Sequence, residues 1–75
     1  MKAIRGKKFC KLLEANSWEL KRVNGSHHIY AKVGKNARIS VPVHGNVPLK
    51  LGLQRQLMKI AEIEEGQLSN PKVAF

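Results

Sequence analysis

The middle of the chain alternates strand-like segments with turn residues, and this pattern limits the fold more than any other feature. Residues 18–23, 26–33 and 37–43 each show much of the apolar–polar alternation of a half-buried strand. Asn24-Gly25 separates the first two segments and is a strong hairpin signal, because both residues tolerate positive φ. Gly34-Lys35-Asn36 provides a second turn before the third segment. Because short turns join antiparallel strands, we predict a three-stranded antiparallel meander.

Two amphipathic segments flank the predicted strands. Residues 5–16 place Phe9, Leu12 and Leu13 on one helical face, and residues 49–62 repeat apolar residues at helical spacing. Gly52 is expected near the start of this second helix. In the third strand, Pro42 has no N–H to donate, so it should lie at an edge or a bulge.

Chain length decides how these elements pack. With 75 residues there is room for one core, so both helices should cover the same face of the sheet and leave the other face open. We therefore predict an α+β fold with the order αβββα, the order found in double-stranded-RNA-binding domains. Residues 1–63 should form this domain, and residues 64–75 should be a loosely ordered tail.

The charge distribution points to an anionic partner. The chain has 14 Lys and Arg against five acidic residues, all Glu, and a net charge of +9. Residues 1–60 hold 13 of the 14 basic residues and only two of the acids, Glu14 and Glu19. This balance favours binding to nucleic acid or to an acidic protein. It argues against a two-metal nuclease site, which needs several carboxylates.

Cysteine and histidine usage gives no sign of a metal or cofactor. Cys10 is the single cysteine, so it cannot form an internal disulfide, and with His44 it shows no zinc-ligand spacing. Adjacent His27 and His28 would point to opposite faces of a strand and could not readily bind one ion. No apolar stretch is long enough to span a membrane or to serve as a secretory signal. We therefore expect a cytoplasmic protein without metal or cofactor.

The segment Gly25-Ser26-His27-His28-Ile29-Tyr30 is the best candidate for chemistry. A histidine can take the proton from a ribose 2′-OH or donate one to the leaving 5′-oxygen, while Lys or Arg stabilises the charge on the phosphate oxygens. Such RNA cleavage needs no metal. The alternative is that the two histidines are an ordinary solvated pair. Tyr30 fits either the edge of the core or an RNA contact, and Trp18 either packing on the first helix or base stacking.

Taken together, the motifs of the chain resemble the HicA (YcfA-like) family of bacterial toxins. The resemblance covers residues 4–63 and combines the following segments: Leu12-Leu13-Glu14, Asn16-Ser17-Trp18-Glu19-Leu20, Gly25-Ser26-His27-His28-Ile29-Tyr30, Val41-Pro42-Val43-His44-Gly45-Asn46, and the last helix from Leu49 to Ile63. Each piece alone is weak, whereas the combination is fairly specific.

The resemblance implies the activity of an mRNA interferase, which cleaves messenger RNA with little or no sequence selectivity and arrests growth. It implies a HicB-type antitoxin that covers the active site, and no role for a membrane or for DNA binding by the toxin alone. The family's catalytic histidine falls on His27, with His28 as the runner-up. As residues that contact RNA we expect Lys21, Arg22, Ser26, Tyr30, Lys32 and Arg38.

The chain also departs from the family pattern near its C-terminal end. The last helix lacks a hydroxyl residue at its start, where Gly52-Leu53 stands, and it lacks the glycine that would end it. We therefore expect that helix to continue into Glu64 and Glu65. Two alternative hypotheses lie outside the toxin class: the chain is a non-catalytic RNA-binding module, or it is a domain that binds only an acidic protein.

Overall fold

The structure, a computed structural model, describes residues 2–69. Over this range the elements are α1 (Gly6–Ala15), β1 (Glu19–Asn24), β2 (His27–Ala31), β3 (Ile39–Pro42), α2 (Leu51–Ala61) and a 3-10 helix (Glu65–Ser69). The predicted order αβββα is confirmed, and the predicted helix and strand ends differ from the observed ones by one or two residues, except for the expected continuation of the last helix into Glu64 and Glu65.

The strands form one antiparallel sheet in the order β1-β2-β3, so β2 is central. β3 is an edge strand, and Pro42 is its last residue. The prediction for Pro42 is confirmed, because at an edge the missing N–H interrupts no interior ladder.

The two faces of the sheet differ in burial. On one face Tyr30 pairs with Ile39, and His28 pairs with Val41; Tyr30, Ile39 and Val41 are buried under the helices. On the other face Ile29 pairs with Ser40, and no helix of the described chain covers it. Below, these are called the helix-covered face and the open face.

A single hydrophobic cluster joins both helices to the helix-covered face. α1 contributes Phe9, Leu12 and Leu13, all fully buried, and α2 contributes Leu57, Met58 and Ala61. A single cluster to which both helices contribute is expected for a chain of this length, because so short a chain has too little apolar surface for two cores.

A β-bulge in β1 determines which side chains of that strand lie on each face of the sheet. Leu20 pairs with Tyr30 and Arg22 pairs with Ile29, so Lys21 is the extra residue. In a regular strand, residues three positions apart lie on opposite faces. The bulge shifts this alternation of side chains by one residue, so Val23 lies on the same face as Leu20. As a result, Arg22 lies on the open face.

Both helices end in the same hydrogen-bond motif, although neither has glycine at the critical position. After α1, Ser17 takes a left-handed conformation (φ 70°), and the Trp18 N–H bonds to the Leu13 carbonyl oxygen at 3.0 Å. After α2, Glu62 takes the same conformation (φ 59°), and the Ile63 N–H bonds to the Met58 oxygen at 2.9 Å. These are Schellman closures.

The expected continuation of α2 into Glu64 and Glu65 is wrong. α2 ends at Ala61, because Glu62 turns the chain so that Ile63 is buried. Glu62 also forms an ion pair with Lys35, and this pair lowers the pKa of the Glu62 carboxyl. Burial of the apolar residue after the turn compensates for the strain of a left-handed glutamate.

The predicted tail, residues 64–75, begins with a short helix. Glu65–Ser69 forms the 3-10 helix, and Leu68 joins the hydrophobic cluster. Residues 70–75, the rest of that predicted tail, lie outside the described residues.

A buried glutamine fixes the N-terminal segment to α2. Gln54 is 0% exposed; its side-chain oxygen accepts from the Ile4 N–H at 2.9 Å, and its amide donates to the Lys2 carbonyl oxygen at 2.9 Å. The Leu49 N–H in turn donates to the Ile4 carbonyl oxygen at 2.8 Å. These bonds hold residues 2–5 against the start of α2.

Candidate functional site

The two adjacent histidines lie on opposite faces of the central strand. His27, the first residue of β2, is exposed on the open face, where it pairs with Asn24 of β1 and Pro42 of β3. His28 is half-buried on the helix-covered face, opposite Val41. Only the ring of His27 is therefore presented to a ligand on the open face.

Neither imidazole hydrogen-bonds to another group within residues 2–69. In that range, then, His27 has no carboxylate that fixes its tautomer, unlike the histidine of a Ser-His-Asp triad. Both nitrogens of an unpartnered ring remain able to exchange a proton with a ligand.

A tight turn sets the position of His27. Asn24 ends β1, and Gly25 takes a left-handed conformation (φ 62°) that a side chain would disfavour. The carbonyl oxygen of Ser26 accepts a 2.7 Å bond from the N–H of Val43, which extends the sheet past β3. Ser26 is half-buried here, beside the candidate histidine.

The same bond brings a third histidine to this end of the sheet. His44 follows Val43 directly and is exposed. In sequence it is far from His27, but the pairing of Pro42 with His27 and the Val43–Ser26 bond place its backbone near the turn. The sequence signal that could have added His44 to the candidate site is its place directly after the third predicted strand.

The expected RNA-contacting cations fall into two groups. Arg22 pairs with Ile29, so it lies on the open face, two β2 positions from His27. Lys21, at the bulge, is exposed and forms a 3.2 Å ion pair with Glu19. Of the cations in the expected set, Arg22 has the position best suited to act with His27.

Lys32 and Arg38 lie at the opposite end of the sheet. Together with Lys21 and Lys35 they line a shallow depression of about 340 Å³. The strand from His27 to Ala31 spans about 13 Å at 3.3 Å per residue. These cations therefore lie away from His27, at the other end of the sheet.

Tyr30 is not an RNA contact, and we withdraw it from the expected set. It is 1% exposed, and its hydroxyl donates a 2.6 Å hydrogen bond to a carboxylate oxygen of Glu14 on α1. Burial and this bond raise the pKa of the Tyr30 phenol. Trp18, 2% exposed, is likewise a core residue and not a stacking platform.

The described residues contain no group of three or more His, Cys, Asp or Glu side chains that could hold a metal ion.

Cys10 is buried beside Tyr30, and burial raises the pKa of its thiol, so it stays protonated at neutral pH. Among the described helices, none is long and apolar enough to cross a bilayer.

A basic surface on α1 lies outside the predicted site. Lys7, Lys8 and Lys11 are exposed on α1, and with Arg5 they border a groove next to the N-terminal segment. From the sequence alone, these lysines are interpreted as a solvated helix face that could also touch phosphate. A further signal is the position of the charges, which stand in the first turns of the helix without an acidic residue.

Two comparisons with known proteins bear on the family of the chain. A comparison with curated proteins gives no significant match. The model of one protein family, described as the HicA toxin of bacterial toxin–antitoxin systems, matches residues 6–63, from the start of α1 to the buried residue that follows α2. This match spans both helices, the whole sheet and the His27 turn, so the chain belongs to the HicA toxin family of bacterial toxin–antitoxin systems.

Proposed function

We propose that this toxin is an endoribonuclease that cleaves messenger RNA without a metal ion, with His27 as its general acid–base residue. The observation that carries the proposal is the position of His27. It is exposed, it is unpartnered within residues 2–69, and it lies on the one face of the sheet that the helices leave open.

The proposed chemistry is transesterification within the RNA. His27 accepts the proton of a ribose 2′-OH, whose oxygen attacks the adjacent phosphorus while the bond to the 5′-oxygen breaks. The departing 5′-oxygen takes up a proton from the imidazolium or from water. The products are a 2′,3′-cyclic phosphate and a free 5′-hydroxyl, so atoms and charge balance without a co-reactant.

Arg22 is proposed to stabilise the charge on the phosphate during this reaction. It shares the open face with His27, and a guanidinium can donate two hydrogen bonds to two phosphate oxygens. Neighbouring strands thus supply the two groups: β2 carries His27 for proton transfer, and β1 carries Arg22 for charge stabilisation. Binding of an antitoxin of the HicB type over this face would block both.

The direct test is cleavage of a labelled RNA by the purified protein in excess EDTA. We expect new 2′,3′-cyclic ends, and we expect His27→Ala to lower the rate by roughly 10²–10⁴. His28→Ala is the matched control, because it removes the adjacent imidazole on the other face. Both variants should retain the circular dichroism of the parent.

Four outcomes would contradict the proposal or part of it. Cleavage by His27→Ala at the parental rate would remove the residue assignment, and loss of cleavage only in His28→Ala would transfer the role to His28. A gel shift with intact RNA would indicate a non-catalytic RNA-binding module. If the protein neither cleaves nor binds RNA, its basic surface serves a protein partner.

A further inference from the structure

A basic groove lies on the helix-covered side of the molecule, apart from His27. It has a volume of about 740 Å³ and runs between the N-terminal segment, α1 and the 3-10 helix. Ile4 and Leu68 form part of its apolar floor. Its charged lining consists of Lys2, Arg5, Lys7, Lys8, Lys11 and a single carboxylate, Glu65.

The placement of these charges is unfavourable for the helix itself. Arg5 is the N-cap residue of α1 and makes no side-chain cap, and the first turn contains no acidic residue. Cations at this end oppose the helix dipole, and Lys7 and Lys11, four residues apart, repel each other along one face. Helix stability therefore does not explain the cluster, whereas binding of an anion would.

The start of α1 connects the groove with the end of β3, next to the candidate active site. Gly6, the residue after Arg5, packs so tightly against β3 that a Cβ there would be 2.2 Å from the Pro42 carbonyl oxygen. Pro42 is the direct cross-strand neighbour of His27. A strand of nucleic acid bound over His27 can therefore pass the end of β3 and reach the cations of the groove.

We propose that the basic groove binds the sugar–phosphate backbone of single-stranded RNA beyond the cleaved bond. This inference rests on the proposed function and adds a second contact region for the same substrate. The cations are spread over α1 and the segment before it and do not converge on one point, which suits a row of phosphates more than a single carboxylate. Such contacts are independent of sequence and depend strongly on salt.

The test compares two double variants that remove the same charge. Lys7→Ala/Lys11→Ala removes two groove cations, and Lys50→Ala/Lys59→Ala removes two exposed lysines of the α2 region that do not line the groove. Binding is measured with a fully 2′-O-methylated RNA of about 16 nucleotides, the upper end of single-strand site sizes, which lacks the attacking hydroxyl. Circular dichroism checks that both variants are folded.

We expect the groove variant to bind this RNA roughly tenfold more weakly than the parent, with a salt dependence shallower by about 1.4, or 0.7 per lost phosphate contact. The control variant should lose little affinity. With cleavable RNA, the groove variant should raise KM for the long substrate and leave the cleavage of a trinucleotide unchanged, because a trinucleotide is expected to be too short to occupy both regions.

Equal losses in the two variants would overturn the groove assignment, since they would reflect net charge alone. Binding of poly-glutamate that depends on Lys7 and Lys11, with RNA binding unchanged, would overturn it in favour of an acidic protein partner. Failure of the parent to cleave any RNA would refute the proposed ribonuclease activity, while the binding assay would still decide whether the groove holds RNA.

Discussion

The hydroxyl of Tyr30 and the carboxylate of Glu14 are joined by a 2.6 Å hydrogen bond between the central strand and α1. Tyr30 is buried next to Cys10, and Glu14 lies at the outer edge of the helix. This bond ties the first helix to the strand that carries His27, so it holds in place the sheet on which the proposed chemistry depends.

The first prediction concerns alkaline pH. Burial and the bond to Glu14 raise the pKa of Tyr30 above its ordinary value of 10.0. The unfolded chain therefore releases this proton at lower pH than the folded protein does, and the corresponding stability is complete below pH 10 and falls as the pH rises further. Because Tyr30 is the single tyrosine, ultraviolet absorbance of the phenolate should appear only as the protein unfolds.

Tyr30→Phe provides the comparison for that titration. It should lower the free energy of unfolding at neutral pH by about 1–2 kcal/mol, because a hydrogen bond to a charged acceptor is lost. Its stability should also depend less on pH above pH 10 than that of the parent. Phenolate absorbance at the ordinary pKa in a fully folded protein would contradict the burial of this hydroxyl.

The second prediction concerns thiol reactivity. Burial raises the pKa of Cys10 and covers the sulfur, so little thiolate is available at pH 8. Alkylation of the folded protein by iodoacetamide should be at least about tenfold slower than alkylation of the same protein in urea. Equal rates in the two states would mean that α1 does not stay packed on the sheet.

The third prediction uses two glycines with opposite surroundings. Gly6→Ala should destabilise the protein by about 1–3 kcal/mol, because the added methyl would overlap the Pro42 carbonyl and force α1 away from β3. Gly52→Ala is the matched control: no atom lies within 4 Å of the added Cβ, and alanine favours the helix. Urea denaturation should therefore show opposite signs for the two substitutions.

The fourth prediction concerns the buried glutamine. Gln54→Met keeps a side chain of similar length but leaves the Ile4 N–H and the Lys2 carbonyl without their partner. We expect a loss of about 1–3 kcal/mol in the free energy of unfolding. Gln56→Met, at an exposed position of the same helix, should change it by less than about 0.5 kcal/mol. If the two variants unfold alike, the Gln54 bonds contribute nothing measurable.

The fifth prediction separates stability from activity at the histidine pair. His28→Ala removes a half-buried ring from the helix-covered face and should lower the free energy of unfolding by about 1 kcal/mol. His27→Ala removes an exposed ring and should change it by less than about 0.5 kcal/mol, even though it is the variant expected to lose cleavage. Thermal unfolding and RNA cleavage are measured for both variants. The loss of stability should be larger in His28→Ala, and the loss of cleavage should be larger in His27→Ala.

Much of the architecture follows from local patterns that need no tertiary information. Asn24-Gly25 indicates the hairpin, and Phe9, Leu12 and Leu13 mark the buried face of α1; both elements are present. The turn itself lies one residue later than predicted, at Gly25-Ser26, because Asn24 still pairs with His27 as the last residue of β1. Each depends on interactions between residues close in sequence, which is why composition and spacing reveal them.

The end of α2 could not be predicted in that way. A helix without a terminal glycine is expected to continue, yet Glu62 adopts the left-handed conformation. The deciding contribution is the burial of Ile63 in a cluster built by distant residues, together with the ion pair to Lys35. The position of Tyr30 is a similar case, since both a core role and a surface role are compatible with its place in an alternating strand.

The amino-acid sequence alone determined the order of helices and strands, the basic character of the chain and the Gly25-Ser26-His27-His28 motif, because these properties are written in local spacing and charge. Tertiary structure decided which histidine faces solvent, which of the cations share its face, and that Arg5 and Lys7 border one groove. Those relationships depend on strand register and on the side of the sheet that the helices cover, and both are fixed only when the whole core packs.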